Sequence, residues 1–431
     1  PDMRTFISAI CLVSLAAAMN PSQSYAEVAD GLKAGAARID ITPDKPVQMS
    51  GYASRKDLST GVHDPLSARV LAFKAGDKRL VLVSTDIIGF YEGTADYLRK
   101  ALLSEFQLEP SELFLTAIHT HAAPSLTLNK ERGHPHNVEY TETLKDKLIE
   151  VVRQALGGMA PAAIGLGVGA CPAGANRREL RVANDAKTSI VLGRNPDGVT
   201  DKEVLVMEVA RPNGTPLAVA FDYATHGTSL GPGNYVISGD VPGLAEQFVE
   251  KILGFDTIAP AFIGASGDID PWYRVLPAFN EEPGWIPEPV LLGTLLGQEV
   301  VHVYRGIKDR PPVDGIKLAS QFATLQLPAK PREGVSPVKT DGPTFVITVA
   351  RLGDVAFVGL GGEVFTEIGL AIKAGSPCRH TFVITHCNGA AGYLAPKEAH
   401  VQGGYEVTSS PFAPQAADMV IREAIRMLHD L

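Results

Sequence analysis

The segment Phe114–Ser125 has the sequence FLTAIHTHAAPS, in which an apolar run leads directly into two histidines and a proline-containing loop. The hydrophobic residues are continuous rather than alternating, which is typical of a β-strand covered on both faces. His119 and His121 are two positions apart, so their side chains face the same side of an extended backbone. Neutral imidazole nitrogen is a good zinc ligand, and the segment therefore predicts a strand ending in a candidate metal site. Two histidines hydrogen-bonded within a loop are the alternative.

Apolar runs of the same kind recur along the chain and alternate with helical patterns. The strand-like runs are ELFLTAI from Glu112, RVLAFKA from Arg69, RLVLVST from Arg79, AAIGLGVG from Ala162, VLVMEVA from Val204, LAVAFDYAT from Leu217 and APAFIGA from Ala259. The helical patterns begin at Gly93, Val138, Val241, Glu288 and Pro414. This alternation predicts an α/β protein with a large mixed β-sheet flanked by helices. The sequence shows no internal repeat, and its Pro/Gly-rich segments fit loops within one domain.

The composition is that of a soluble globular protein and argues against nucleic acid as a partner. The 431 residues are 45% hydrophobic and 20% charged, which are ordinary values. The net charge is −9, from 48 acidic and 39 basic side chains. Without a dense Lys/Arg run, the chain lacks the basic surface that attracts a phosphate backbone.

The N-terminus has the pattern of a signal peptide. Met3 and Arg4 precede the apolar segment FISAICLVSLAAAM, and Ser24-Tyr25-Ala26 has the small-x-small form of a cleavage site. The apolar segment is shorter than the ~20 residues that a membrane helix needs. We therefore expect a signal peptide over residues 1–26, export to the periplasm or medium, and one domain over residues 27–431.

Two further metal-compatible side chains follow apolar runs. His226 ends the run in AFDYATHGTSL, and Glu363 follows the run in VAFVGLGGEVFTEIGLAI. A carboxylate at the latter position lies close to a helix N-terminus, where a helix-capping acid is the simpler interpretation for Glu363 alone. Because α/β sheets place their sites at strand ends, the recurrence favours a shared site that also includes His119.

The run APAFIGA leads into SGDIDP, which carries Asp268 and Asp270. Aspartate is common in turns because its side chain bonds to the backbone just ahead, so both a turn role and a chemical role are open.

Two polar segments supply further candidates. Arg177 and Arg178 in GANRRELRVAND are either solvated charges or a clamp for a carbonyl or carboxylate. Tyr393 and Tyr405 lie in the glycine-rich stretch from Cys387, where their phenols could bind metal or stabilise an oxyanion.

Taken in order, these motifs resemble the catalytic domain of the neutral, non-lysosomal ceramidases, zinc amidases that cleave the N-acyl bond of ceramide. The resemblance is carried by AARIDITP, GYASR, GVHDPLSARVLAF, TAIHTHAAPS, ANRR, ATHGTSL, GGEVFT and AGYLAPKEAHVQGGYE, which span about Ala34 to Tyr405. It implies that residues 27–431 form a catalytic domain of this kind. The family's C-terminal immunoglobulin-like domain is expected to be absent.

The resemblance also implies roles for individual residues. It implies a Zn2+ ion held by His119, His226, Glu363 and Tyr393. It places His121 and Arg177 beside the scissile carbonyl of the substrate and Tyr405 on the opposite side.

One position departs from the family pattern, because Asp270 stands where the family has a serine in Gly-Asp-Val-Ser-Pro. With no serine there, the simplest mechanism uses a zinc-bound water to cleave the amide or ester bond, since zinc lowers the pKa of water from ~16 to about 7. Asp270 would then act as a base or as an additional metal ligand. Turnover is expected to be lost in Asp270→Asn while zinc is retained.

The substrate class is less closely defined by the sequence. The family implies a small-molecule or lipid-like N-acyl substrate, and it leaves room for peripheral contact with a membrane; the oligomeric state is open. Two alternatives remain. The protein is a non-catalytic exported homologue that binds a metal or ligand, or it is an amidohydrolase-like deacylase or lactonase.

Overall fold

The computed structural model describes residues 31–184, 186–254, 256–272, 288–307, 316–330 and 342–431. The predicted signal peptide, residues 1–26, lies outside these ranges. Within them, no helix combines the length and the apolar character needed to cross a bilayer.

The strands of the described ranges are numbered in chain order. They are β1 (Lys33–Asp40), β2 (Gly61–Val62), β3 (Ser67–Ala75), β4 (Lys78–Thr85), β5 (Leu113–Ala117), β6 (Ala160–Pro161), β7 (Ala163–Ala170), β8 (Gly174–Asn176), β9 (Arg178–Val182), β10 (Thr188–Leu192), β11 (Glu203–Ala210), β12 (Pro216–Tyr223), β13 (Val236–Ile237), β14 (Ala261–Ile263), β15 (Ile269–Pro271), β16 (Leu318–Gln326), β17 (Thr344–Leu352), β18 (Val355–Leu360), β19 (Glu363–Val364), β20 (His380–Ile384) and β21 (Tyr393–Leu394).

The helices are numbered in the same way. They are α1 (Thr94–Phe106), α2 (Pro135–Gly157), α3 (Asp240–Leu253), α4 (Glu288–Gly306), α5 (Thr366–Gly375), α6 (Lys397–Gln402), α7 (Tyr405–Ser409) and α8 (Ala416–His429), and a single 3₁₀ turn spans Pro110–Glu112.

Each strand and helix pattern of the sequence corresponds to an element of the structure, although some ends differ. Helix α2 begins before the predicted Val138, because Pro135 suits the first turn of a helix and the His134 ring accepts a hydrogen bond from the His136 N–H. Strand β14 begins only at Ala261, because the preceding Pro260 has no N–H to donate to a neighbouring strand.

The predicted α/β class with mixed sheets is confirmed, but the strands are divided among three larger mixed sheets that share one topology. The shared order is β1-β3-β4-β5 in the first sheet, β7-β11-β12-β14 in the second and β16-β17-β18-β20 in the third. In each sheet the first three strands are antiparallel and the fourth is parallel to the third. The amino-acid sequence therefore shows no internal repeat, whereas the strand topology repeats three times in these sheets.

The helices repeat in step with the strands. A crossover helix joins the third and fourth strands of each sheet, and it is α1, α3 or α5. A parallel pair requires such a crossover. A second helix follows the fourth strand and contacts the crossover helix, as α2 does α1, α4 does α3 and α8 does α5. We call these three groups of four strands and two helices units 1, 2 and 3.

Each unit buries its helices against the outer face of its own sheet, and the inner faces of the three sheets share a central core. In unit 1, Val81 and Val83 of β4 face the helices, whereas the alternate Leu80 and Leu82 belong to the central core. This alternation is the two-residue period of a strand covered on both faces.

Aromatic rings join the units within the central core. Phe114 of unit 1 contacts Phe357 of unit 3 with ring centroids 6.4 Å apart, and Phe262 of unit 2 contacts Phe382 at 6.3 Å. All four side chains are fully buried, and burying a phenylalanine contributes about 1.5–3 kcal/mol.

The fourth strands β5, β14 and β20 are edge strands, and their carboxyl ends meet at one end of the central core. Thr385, just after β20, donates its N–H to the carbonyl of Ile263 in β14 at 2.8 Å. Asn388 donates its N–H to the carbonyl of Leu115 in β5, also at 2.8 Å. The loops that leave the three units are thereby brought to one place.

Candidate metal centre

His119 and His386 occupy equivalent positions in units 1 and 3. Each lies two residues beyond the fourth strand of its unit, after Ala117 and Ile384. Both have a left-handed backbone, with φ of 58° and 51°. Non-glycine residues seldom adopt this conformation, and it clusters at functional sites. The two rings stack with centroids 3.8 Å apart.

His226 and Glu363 are a second equivalent pair, from units 2 and 3. They lie three residues beyond the third strands, which end at Tyr223 and Leu360. Nε2 of His226 and Oε2 of Glu363 are 3.6 Å apart, and Nε2 of His119 lies at the same distance from Oε2. The structure therefore brings together the three strand-end residues that the sequence pattern singled out.

His121 lies beside His119 and His226. Its Nε2 is 3.2 Å from Nε2 of His119. The left-handed backbone of His119 brings the two rings together, and not the extended backbone that the sequence predicts. His119, His121 and His226 offer ligand atoms that all lie within 4.8 Å of one another and could hold a metal ion.

The tautomers of two histidines suit metal ligation. Nδ1 of His119 lies 2.6 Å from the carbonyl of Ile88, and Nδ1 of His226 lies 2.8 Å from that of Ser266. A carbonyl only accepts, so the proton is on Nδ1 and each Nε2 presents a lone pair. Metal-binding histidines are typically fixed by such bonds from the second nitrogen.

The electrostatics favour the neutral form of His119, His121 and His386 and the charged form of Glu363. Burial lowers the pKa of His119 well below its ordinary value, and it lowers the pKa of His121 to about 3 and that of His386 to about 4. Burial alone would raise the pKa of Glu363, but His119 and the other histidines hold it well below its usual range. Neutral imidazole and ionised carboxylate are the forms that bind a metal.

Glu363 is fixed through one oxygen only. The phenol of Tyr91 donates to Oε1 at 3.1 Å, whereas the buried Oε2 has no hydrogen-bond partner among the described residues. Sequence reasoning missed Tyr91, although the segment GFYEG follows the predicted strand RLVLVST. A buried carboxylate oxygen without a partner is costly unless a cation or donor satisfies it.

Arg177 is buried, which excludes the solvated interpretation of its charge, and all its donors are engaged. Nε donates to Oε1 of Glu406 at 2.8 Å. The two terminal nitrogens contact Oδ1 of Asp270 at 3.1 Å, Nε2 of His226 at 3.2 Å, the carbonyl of Gly267 at 2.8 Å and the phenol of Tyr393 at 3.1 Å. These contacts raise the pKa of Arg177 although burial opposes them.

The two aspartates of SGDIDP have different surroundings. Asp268 is buried and accepts hydrogen bonds from Asn176 and from the N–H and hydroxyl of Thr366 at the start of α5. It ties a turn to a helix N-terminus, as a turn role predicts.

Asp270 lines the cavity in front of the histidines and also accepts from the hydroxyl of Thr228 at 3.2 Å. Burial would raise its pKa, but the charge of Arg177 and its neighbours lowers it to about 2.

The two predicted tyrosines lie side by side at this cavity. Strand β21 pairs with β19 so that Tyr393 is opposite Glu363, and the rings of Tyr393 and Tyr405 have centroids 5.8 Å apart. Both rings line a cavity of about 460 Å³, together with Tyr52 and Asp270.

The donor set fits a divalent metal such as zinc. The ligand atoms of His119, His121 and His226 converge, and the orphaned Oε2 of Glu363 lies 3.6 Å from Nε2 of His119 and from Nε2 of His226. Zinc prefers four ligands drawn from such nitrogen and carboxylate donors. Fold and site together define a mixed α/β protein with a buried histidine–carboxylate centre that can hold a metal ion.

Comparison with known proteins gives the family. The family described as neutral/alkaline non-lysosomal ceramidase, N-terminal, matches residues 32–270, more than half of the chain. The chain belongs to this family. The resemblance identified from the motifs is thereby confirmed; Glu363, Tyr393 and Tyr405 lie beyond the matched residues.

Curated relatives agree with this assignment at low identity. The neutral ceramidase of Mycobacterium tuberculosis is 28% identical over 56% of this chain and 39% of its own length. Neutral ceramidase 1 of Arabidopsis thaliana is 27% identical over 50% of this chain and 28% of its own length. These matches span less than two-fifths of either relative.

Solved structures give the same fold. The crystal structure of neutral ceramidase from Pseudomonas aeruginosa matches with a TM-score of 0.76 at 19% identity, over 92% of this chain and 74% of that one. A ceramidase complexed with C2 matches with a TM-score of 0.73 at 18% identity.

Proposed function

We propose that this protein is a zinc-dependent amidase that hydrolyses the N-acyl bond of a ceramide-like substrate. The observation that carries the proposal is the unpartnered Oε2 of Glu363, which faces the lone pairs of His119 and His226 in a buried place. Membership of the ceramidase family supports amide hydrolysis as the reaction.

His119, His226 and Glu363 would hold the zinc, with Tyr393 or His121 as the fourth ligand. The resemblance favours Tyr393, whereas the convergence of the three histidines favours His121. A bound zinc supplies Lewis acidity, which polarises a carbonyl and lowers the pKa of water toward neutrality.

The protein's own side chains would do the remaining work. Asp270, with a pKa of about 2, is always ionised near neutral pH and is a weak proton acceptor. Asp270 is better suited to orient the attacking water and to balance positive charge than to accept a proton from that water. Tyr405 projects toward the cavity beside Tyr393, where a phenol can donate to the oxyanion of the tetrahedral intermediate.

Most of the described residues that line the cavity carry a polar side-chain group, and this favours a second candidate class, N-acylated amino acids or sugars. Tyr52, Ser54, Glu179 and Arg194 line it, and Leu192 is the one large aliphatic side chain among its described lining residues. Small-molecule sites depend on such placed polar groups for specificity.

Metal content and turnover test the proposal together. Purified protein should contain about one zinc per chain and should hydrolyse a member of a panel of ceramides, N-acyl amino acids, N-acyl sugars and lactones in a chelator-sensitive way. Bound zinc without turnover on any member would favour a non-catalytic homologue, and turnover of lactones alone would favour a lactonase.

Asp270→Asn tests the departure from the family. We expect at least about a 100-fold loss of kcat, comparable to the removal of one oxyanion-hole donor, with the zinc content unchanged. Near-normal kcat would return Asp270 to a structural role in its turn.

A further inference from the structure

We propose that Glu406 is the positioning residue for Arg177, and that it fixes the guanidinium plane from which Arg177 contacts Asp270, His226 and Tyr393. This inference rests on the proposed function. Sequence reasoning did not select Glu406, which follows Tyr405 directly in the chain.

Glu406 is fully buried and shares its carboxylate between two arginines. Oε1 accepts from Nε of Arg177 and Oε2 accepts from Nη1 of Arg178, both at 2.8 Å. Its exposure is 0%, and those of the two arginines are 5% and 6%. Charge-assisted bonds of this length in a buried place are strong and directional.

The hydrogen bond at Nε of Arg177 controls which atoms its two terminal nitrogens can contact. The guanidinium is planar, so a carboxylate bound at Nε sets the directions in which the terminal nitrogens point. Nη1 then lies 3.1 Å from Oδ1 of Asp270, and Nη2 lies 3.1 Å from the phenol of Tyr393. Glu406 itself touches neither the histidines nor Asp270 by a hydrogen bond that the structure shows.

Arg178, which binds the other oxygen of the Glu406 carboxylate, has a structural role. Its Nη2 donates to the carbonyl of Gly403 at 2.8 Å, and its guanidinium lies 5.3 Å from the ring centroid of Phe365. These contacts fasten the segment that carries helix α7, so a loss of Arg178 and a loss of Glu406 can be distinguished.

The deciding substitution is Glu406→Gln, which keeps the shape of the side chain and removes its charge. We expect kcat to fall about 10- to 100-fold with KM changed less than about threefold, because a displacement of about 1 Å at a reacting group costs up to about 100-fold. Glu406→Asp retains the charge with a shorter reach and should recover part of kcat.

Two further variants separate positioning from stability. Glu423→Gln removes the half-buried partner of the exposed Arg426, far from the cavity in the chain, and should leave kcat unchanged. Arg178→Met should lower the melting temperature and retain kcat within about threefold. If Arg178→Met lost as much kcat as Glu406→Gln, a merely structural role would explain both and the proposal would be overturned.

Crystal structures of the wild type and of Glu406→Gln or Glu406→Asp judge the proposal without any assay. A guanidinium of Arg177 that moves or rotates away from Asp270 in Glu406→Gln supports it, and an unmoved guanidinium overturns it. If the wild type showed no amidase activity, the proposed function would fail while this structural outcome still decided the role of Glu406.

Discussion

Arg69 and Arg177 are both buried arginines surrounded by carboxylates, but they differ in how completely their neighbours are paired. Arg69 contacts Glu246 at 2.5 Å, Glu250 at 2.8 Å and Asp86 at 3.4 Å. Arg177 lies beside a site where Oε2 of Glu363, and the Nδ1 atoms of His121 and His386, are buried without hydrogen-bond partners among the described residues.

The Arg69 cluster is closed, since its carboxylates also accept backbone hydrogen bonds. Glu246 accepts from the N–H of Ala261 at 2.7 Å and Asp86 from that of Ser67 at 2.7 Å. No buried atom of these side chains lacks a partner within the described ranges. The cluster joins α3 and β14 of unit 2 to the sheet of unit 1.

The difference separates buried charges that the fold pairs completely from a buried carboxylate that it pairs only in part. Buried polar atoms are paired in nearly all cases, so an unpaired group calls for an explanation. At the Arg69 cluster the protein supplies every partner, and its role is structural. At the candidate metal centre one carboxylate oxygen of Glu363 has no hydrogen-bond partner among the described residues, and a metal ion could satisfy it.

Arg69→Met breaks the closed cluster and should have the largest effect. It leaves Asp86 and Glu246 buried without their arginine, and removing one partner of a buried ion pair costs about 3–5 kcal/mol. Urea unfolding should show this loss in the free energy of unfolding. Lys45→Met is the control, because Lys45 pairs with Glu139 at the surface, where such pairs contribute about 0.2–1 kcal/mol. Equal effects of the two substitutions would contradict the structural role of the cluster.

Glu363→Gln tests the open cluster and should affect metal binding rather than folding. The free energy of unfolding of the metal-free protein should fall by less than in Arg69→Met, because glutamine keeps the hydrogen bond from Tyr91 to Oε1. Zinc affinity should fall at least about 100-fold, because even outer partners of metal ligands contribute 10- to 100-fold. Chelator competition measures this, with the exposed Glu367→Gln of the same segment as control. Unchanged affinity would exclude Glu363 as a ligand.

Tyr91→Phe tests the same carboxylate through its outer partner. The substitution removes only the hydroxyl that donates to Oε1 of Glu363, so zinc affinity should fall about 10-fold. Tyr97→Phe in α1 of the same unit is the control and should leave zinc affinity unchanged. A result in which both variants bind zinc like the wild type would mean that Tyr91 does not orient Glu363.

The sequence identified the parts of the site that lie at strand ends. His119, His226 and Glu363 could be selected because each terminates an apolar run. His386 ends the run TFVITH in the same way as His119 ends FLTAIH, so this signal was present and went unused.

The partnerships across the fold could not be predicted. Tyr91 and Glu363 are 272 positions apart and Arg177 and Glu406 are 229 apart, and no local pattern encodes such pairs. The threefold repetition was also invisible, because it lies in strand order and direction rather than in residue identities.

Asp222 differs from both clusters, and Asp222→Asn should have the smallest effect on zinc affinity. Its buried Oδ1 lacks a hydrogen-bond partner among the described residues, like Oε2 of Glu363. Asp222 is not one of the grouped metal-compatible side chains, and its other oxygen accepts from the N–H of Val383. Burial raises the pKa of Asp222 to about 8, against the attraction of Lys373. Asp222 is therefore protonated at neutral pH, whereas Glu363 remains charged.

The pH dependence of stability distinguishes these two solutions. Because the pKa of Asp222 is higher in the folded than in the unfolded protein, where it is about 3.9, its contribution is complete below pH ~4 and is lost as the pH rises toward 8. The free energy of unfolding of Asp222→Asn, relative to the wild type, should therefore increase by about 1.3 kcal/mol per pH unit between pH 6 and 7. Urea unfolding at several pH values measures this, and zinc affinity should not change. A parallel pH dependence in the two proteins would show that Asp222 stays ionised, and its orphaned oxygen would then need a partner as Glu363 does.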